Sequence, residues 1–544
     1  MHRRVSPQAF RLSWLAAGWL AAQAVVPAPV GAMESAVAQP LPVTQAPAAP
    51  ASAAIATPRW FRAGQPTPQA LALLAQLAGA GEHGLVASDY DAAGLALRVA
   101  DAARRTGTGD DLRLEQLDRA LDAAALHFGN DLHRGRIPPR AAGLALPPRP
   151  SLDERAFLAS LAASVDVAAT LRALEPDFLH YRLLEQWLQR YRELALRDAP
   201  LTRLPAPGLR TVHVGEPYAG AVTLRALLAA LGDLPASAAP PGVGGTFDAQ
   251  LSAALARYQE RHGLTADGEL GRRTYESLTT PLAQRVRQIE LTLERWRWVP
   301  AFDRPPIIIN IPQFRLFAFR GLQDRAADIL QMPVIVGQSF RQKRTPVFVA
   351  ELQQVVFQPY WDVPPSILRN ELLAPIQKDW NYLERNDMEM VRGPGDDSPV
   401  VPPSAESVAA LAEGRLRLRQ RAGAKNALGP VKFVFPNDFG VYLHGTSAQR
   451  LFAQSRRDFS HGCIRVSDPA ALAVHVLRNT DGGRWTPEAV NAAMSGAPNQ
   501  RIRVAQPIPV MVLYATALAT EDGRILFFDD LYGHDRRLEQ LLAH

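Results

Sequence analysis

The residues able to do chemistry in this 544-residue chain gather around its one cysteine, Cys463. It stands in Ser460-His461-Gly462-Cys463-Ile464-Arg465-Val466, and a second histidine lies upstream in Tyr442-Leu443-His444-Gly445-Thr446. A free thiol titrates near about 8.5 and is a weak nucleophile at neutral pH; an imidazole within reach can take its proton and hold the ion pair. That base needs a partner on its other ring nitrogen, and a backbone carbonyl near Gly445 can supply it. Gly462 permits a tight turn whose amides, with that of Cys463, could face a developing oxyanion, each donor worth about 3 kcal/mol of barrier. Two histidines and a thiol could instead hold zinc. No HExxH or CxxC spacing accompanies them, and no acid stands in an obvious general-base position. A purely structural turn is the other alternative. A lone thiol forms no internal disulfide, so in an oxidising compartment it points to reactivity, to intermolecular pairing, or to inert burial.

The elements around this segment read as strands. Ile307–Ile311, Phe314–Phe319, Met332–Val336, Val431–Phe435, Val441–Leu443, Pro509–Tyr514 and Arg524–Phe528 are short apolar, β-branched or aromatic runs bounded by Pro and Gly. His444 ends one of them. Residues 364–427 form a polar insertion with helical pieces, expected to lie as a lid over the β core.

Upstream, residues 59–212 read as a helical scaffold. Thr67 can cap a helix with Pro68 in its first turn, Leu71, Leu74 and Leu77 recur at helical spacing, and Gly79 can end it. Leu183–Leu196 repeats such a pattern, whereas His83-Gly84, Asp131-Leu132 and Gly135-Arg136 read as turns and caps. The histidines here (His83, His127, His133, His180) are scattered, with no reactive constellation. From 213 to 282 three short amphipathic helices joined by Gly turns are expected, closing on Gly263-Leu264, Asp267-Gly268, Gly271 and Thr274.

The N-terminus has the organisation of an export signal. Arg3, Arg4 and Arg11 precede the uncharged run Leu12–Val26, and Val30-Gly31-Ala32 is a small-residue cleavage site. The alternative is an uncleaved inner-membrane anchor. Residues 33–58 are a Pro/Ala-rich tether. The formal charge of +6 falls to roughly +3 on cleavage, which suits an anionic wall or membrane surface; no clustered basic helix or nucleic-acid motif is present.

With these residues in place, the chain resembles the L,D-transpeptidase (YkuD) family. The pattern is His444, then Ser460-His461-Gly462-Cys463, an apolar residue and a polar one. Arg465 stands where many members carry Asn, as in the large YcbB-type subgroup. Asn310-Ile311-Pro312, Val334–Gly337, Thr345-Pro346, Trp361–Pro364, Asn426–Gly429, Lys432-Phe433 and Phe435–Asn437 support that subgroup, and residues 221–278 resemble a peptidoglycan-binding module. Gly445-Thr446-Ser447 departs from the more acidic, Pro-containing turn expected there.

The resemblance implies a multidomain α+β protein: helical scaffold, small peptidoglycan-binding domain, and a β-rich catalytic domain (283–544) with the lid insertion. It implies that Cys463 attacks the carbonyl between diaminopimelate and D-Ala of a tetrapeptide stem, that His444 is base and then acid, and that the Gly445 carbonyl orients His444. His461, Gly462, Ser460, Arg465, Tyr442 and Trp361 would support the site. A second diaminopimelate amine would resolve the thioester into a 3→3 cross-link, and carbapenems would acylate the thiol. Neither metal nor cofactor is expected; the partners are peptidoglycan stem peptides, with wall synthases as candidates and no nucleic acid. A cysteine carboxypeptidase or endopeptidase, or a wall-binding scaffold without activity, are the alternatives.

Overall fold

The computed structural model describes residues 59–543 apart from 105–110, 198–201, 209, 236–244, 323, 326 and 327. The expected signal (1–32) and tether (33–58) lie outside the described residues. Among those described, no helix is long and apolar enough to cross a membrane.

A hairpin of β1 (Phe61–Arg62) and β2 (Gln65–Pro66) opens a helical region. Thr67 caps helix Pro68–Ala78, its side chain accepting from the Ala70 N–H at 3.1 Å, and Pro68 sits where a missing N–H breaks no helical bond. The buried face is Ala70, Leu73, Leu74 and Leu77, while Leu71 is 53% exposed. The expected stripe was therefore misphased, because a strict spacing of three drifts around a helix of 3.6 residues per turn. Asp131 and Leu132, expected in a turn, are buried inside helix Asp111–Arg134; Asp131 accepts a hydrogen bond from the Tyr90 hydroxyl at 2.8 Å, and the chain turns at Gly135 (φ 79°). Trp60, Leu77, Leu121, Phe128 and Leu161 fill this core. Helix Leu179–Ala195 buries Tyr181, Leu184, Leu188 and Tyr191 in the larger core that also takes Ile289 and Leu293 of helix Leu282–Trp296.

Between them stand the three expected short helices, Ala221–Leu231, Ala249–Arg261 and Arg272–Leu278. Their motif closes on itself around Gln259. Its amide nitrogen donates to Asp267 (2.8 Å) and Thr274 (3.0 Å), and its oxygen accepts from the Gly268 N–H (2.8 Å). Gly268, at φ 70°, leaves no room for a Cβ beside Ser252. The Asp-Gly…Thr signature thus has a packing role of its own.

The β-rich region is one nine-stranded sheet. It comprises β3 (Ile307–Asn310), β4 (Arg315–Ala318), β5 (Leu330–Gly337) and β6 (Phe348–Phe357). The insertion contributes β8 (Met388–Val391), β9 (Val400–Val401) and β10 (Arg417–Gln420), which with β7 (Trp361–Asp362) just before it form a separate four-stranded antiparallel sheet. It is thus more than the helical pieces expected, with Val363, Ile376, Leu383, Met390, Leu411 and Leu418 in its own small core. The main sheet resumes with β11 (Val431–Val434), β12 (Leu443–His444), β13 (Asp458–Ser460), β14 (Ile464–Val466) and β15 (Gln500–Leu513). Strand order is β13-β5-β14-β12-β11-β6-β15-β3-β4, and β4 pairs back onto β5, so the sheet closes on itself. A final hairpin, β16 (Ala517–Ala519) and β17 (Ile525–Phe527), follows.

Candidate active site

Strand pairing brings the reactive residues onto one face. β12 and β14 run parallel with Leu443 beside Ile464 and His444 beside Arg465, while β11 pairs Lys432 with His444. Because side chains alternate along a strand, Leu443, Ile464 and Phe433 enter the core (each 0% exposed), and Lys432, Tyr442, His444, Cys463 and Arg465 share the opposite face. Cys463 sits one residue before β14, level with Tyr442, whose carbonyl accepts from the Ile464 N–H at 3.1 Å. His444 is diagonal to it; strand spacing and rise put the two Cα atoms about 8 Å apart.

The turn that presents the thiol is clamped from three sides. Gly462 holds φ at 121°, a conformation side chains rarely adopt. Its carbonyl accepts from the Thr345 hydroxyl (2.8 Å), which itself accepts from the Gly337 N–H (2.8 Å). A Cβ on Gly337 would meet the Lys343 carbonyl at 2.0 Å, so glycine alone lets β5 approach this loop. Ser460 closes the turn internally: its hydroxyl donates to the Cys463 carbonyl and accepts from the Gly462 N–H at 3.1 Å. The Gly462 amide is therefore engaged, contrary to the expectation that it faces an oxyanion. Among the described residues no hydrogen bond engages the Cys463 N–H, which leaves that amide as a donor.

The electrostatics also depart from a resting thiolate–imidazolium pair. Burial pushes the Cys463 thiol above its ordinary range, against the pull of Tyr442, Lys432 and Arg465. His444, 4% exposed, is pushed down to about 3 by burial and by the charges of Arg465 and Lys432. Both groups are neutral at rest. The backbone of Gly445 and Leu428 hydrogen-bonds the His444 ring, although Nδ1 has no well-directed partner. Tyr442 stands between the thiol and Trp361, contacting both through its hydroxyl; its ring lies 5.6 Å from that of His444 and 4.1 Å from Lys432 Nζ.

Arg465 and Lys432 are half-buried beside the sulfur, and neither forms an ion pair among the described residues; Arg465 Nε has no hydrogen-bond partner. Two such cations facing one thiol suit a substrate that carries carboxylates. Lys432 was missed as a site residue. Lys432-Phe433 carries part of the family resemblance, but the place of Lys432 beside the thiol depends on its pairing with His444, twelve residues on.

His461, by contrast, turns to the insertion. Glu371 Oε1 lies 2.6 Å from its Nε2 and 3.2 Å from Lys343 Nζ, and the lysine is 3.0 Å from the same imidazole nitrogen. One carboxylate of the insertion thus ties down both the loop after β5 and the residue two before the thiol. With His461 so engaged, Cys463, His444, Tyr442, Arg465 and Trp361 are the predicted residues that converge, Ser460 and Gly462 shape the turn, and Gly445 follows His444 with its N–H on Val431 (2.9 Å).

Residues 304–490 match the family model described as the L,D-transpeptidase catalytic domain (YkuD). Residues 54–188 match a "Scaffold domain" and 219–278 a "Putative peptidoglycan binding domain". A "Putative L,D-transpeptidase" of Haemophilus influenzae is 30% identical over 280 residues, which cover 51% of this chain and 54% of that protein. The chain therefore spans about half the length of this curated relative. With the matched segments in this order, the chain carries a YkuD L,D-transpeptidase catalytic domain, preceded by a scaffold domain and a peptidoglycan-binding domain.

Proposed function

We propose that the protein is a cysteine L,D-transpeptidase that forms 3→3 cross-links in peptidoglycan outside the cytoplasm, exported by its N-terminal segment. The observation that carries this reading is the shared face of Cys463, His444, Tyr442, Arg465 and Lys432. In the first half-reaction a donor tetrapeptide lays its diaminopimelate and terminal carboxylates against Arg465 and Lys432. These anions offset the two cations that, after burial, hold the His444 pKa down, so the imidazole becomes a better base as substrate binds. The thiol proton passes to His444, sulfur bonds to the carbonyl carbon, and the oxyanion faces the Cys463 N–H. The C–N bond then breaks, His444 returns the proton to the departing D-Ala amine, and a thioester remains. In the second half-reaction the side-chain amine of another diaminopimelate attacks the thioester, loses a proton to His444, and releases the thiolate, which is reprotonated.

The Gly445 carbonyl orients His444 in this reading, and Trp361 walls the cleft from the insertion, which serves as a lid over about 364–427. The corresponding domain limits are 59–212, 213–282 and 283–544. Wall synthases are the natural suppliers of donor stems. Intact-mass analysis tests the proposal: incubation with a tetrapeptide-bearing muropeptide is expected to leave the acyl group, less D-Ala, on Cys463. An amine acceptor should then yield a dimer. Shortened monomers without dimers would turn the assignment to a hydrolase, and no adduct at all would end it.

A further inference from the structure

A cleft of about 830 Å³ lies away from the thiol, and neither Cys463 nor His444 lines it. One wall is the face of β4 that alternation turns from the core: Leu316 and Ala318 are fully buried, while Arg315 and Phe317, followed by Phe319, border the cleft. The turn after the second helix of the peptidoglycan-binding module (His262–Leu264) and the β16–β17 hairpin form the other walls.

Six arginines and four carboxylates line the cleft, and their pairing is lopsided. On the module and hairpin side the charges are matched, Arg524 with Asp522 (2.7 Å) and Arg273 with Asp529 (3.7 Å). On the sheet side, Arg315, Arg325 and Arg457 form no ion pair among the described residues. Arg457 is half-buried over the Phe314 ring (5.3 Å), and its Nε has no hydrogen-bond partner. Burial, and then the neighbouring charge of Arg315, push it down to about 10. Like charges that face a shared cavity without counter-ions repel one another, and an anion with several carboxylates relieves that repulsion by bridging them. The adjacent phenyl faces suit the apolar parts of such a ligand.

We propose that this cleft is a second, non-catalytic wall-binding site, taking a stem peptide with at least two carboxylates across Arg315, Arg325 and Arg457. Peptidoglycan binding is thereby placed at the junction of the module with the β-rich region, and is not confined to the module. The identity of the ligand rests on the proposed peptidoglycan substrate; the preference for a polycarboxylate rests on the arginines alone. Arg457 immediately precedes β13, which runs directly to the thiol turn, so about 20 Å of chain separates the two sites. Wall material held here would lie alongside the strand that leads into the turn bearing the nucleophile.

The test uses the full chain as its Cys463→Ala variant, titrated with free tetrapeptide stem and with the same peptide amidated at its carboxylates. Two binding events are expected for the acid and neither for the amide. Arg315→Gln/Arg325→Gln should weaken one event about tenfold or more while sparing the other. In the Cys463 protein the same double substitution should leave carbapenem acylation unchanged, which reports an intact fold; Arg457→Lys, keeping the charge, should retain binding. A single event untouched by the arginine substitutions would overturn the proposal. If the arginine-dependent event is present but Cys463 never acylates, the cleft stands and the transpeptidase reading falls.

Discussion

Buried charge is handled in opposite ways in the scaffold and on the face that bears the thiol. In the scaffold and the adjoining helices each buried ion has a partner. Arg297, 0% exposed, meets Glu294 at 3.2 Å and the Tyr181 hydroxyl at 2.9 Å; Arg261 grips Asp233 with two bonds; His83 stands 2.6 and 2.7 Å from Glu175 and Glu185. Beside Cys463, Arg465 and Lys432 have no such partner among the described residues. A paired buried ion specifies how two elements dock, and removing one half strands the other. An unpaired one lowers stability in the resting protein and finds its counter-charge only when a ligand arrives. The difference separates the part of the molecule that holds shape from the part that waits for substrate.

The comparison breaks first at the thiol. Cys463→Ala should abolish the carbapenem adduct seen by mass spectrometry while leaving the melting temperature within a few degrees, because the sulfur makes only a long contact to the Gly440 carbonyl (3.8 Å) and one to the Tyr442 hydroxyl. His444→Gln should slow acylation by about 10²- to 10⁴-fold, measured by stopped-flow, with the adduct still forming slowly. In the scaffold the signs reverse: Arg297→Ala should cost about 3–5 kcal/mol in denaturant unfolding by stranding Glu294, yet folded molecules should acylate at the parent rate.

Arg465→Gln is the sharpest contrast. It should raise KM for the tetrapeptide by about tenfold or more, and unfolding should show stability unchanged or raised by roughly 1 kcal/mol. A clear loss of stability would mean that Arg465 is a structural cation after all.

The same contrast extends to pH. Burial lowers the His83 pKa, but hydrogen bonds to Glu175 and Glu185 outweigh it and raise it to about 9. Stability from that site is fully present below the ordinary histidine value of 6.5 and lost as pH rises through 9, on the order of 3 kcal/mol at most. His444, depressed to about 3, acts in reverse: its neutral ring is favoured above 6.5, and stability drains as pH falls from 6.5 towards 3. His83→Gln should flatten the alkaline limb of a stability–pH curve and His444→Gln the acid limb. In the parent protein, acylation should rise into the alkaline range as the thiol ionises, with no inflection near 6.5.

What could be read beforehand follows the range of each interaction. Thr67 and Pro68 announce a helix start because capping is settled within four residues, and Gly462 announces a turn because only its own φ is at stake. Asp131 misled because a carboxylate looks alike whether it caps a helix or is buried beneath a tyrosine. The long strand β6 went unnoticed, since Glu351, Gln353 and Gln354 break up its apolar run, and the sheet in the insertion was masked by short strands of mixed polarity.

The sequence by itself singled out Cys463 and His444 as the candidate nucleophile and base, and indicated the order of helical, three-helix and β-rich regions. Each depends on residue identity or on a pattern confined to one element. Tertiary structure alone decided that Lys432 and Arg465 stand unpaired beside the sulfur, that His461 belongs to the insertion through Glu371, and that three arginines from separate segments share one cleft. The physical reason is that electrostatic environment depends on distance in space and on exclusion of water, and strand pairing sets both between residues remote in the chain.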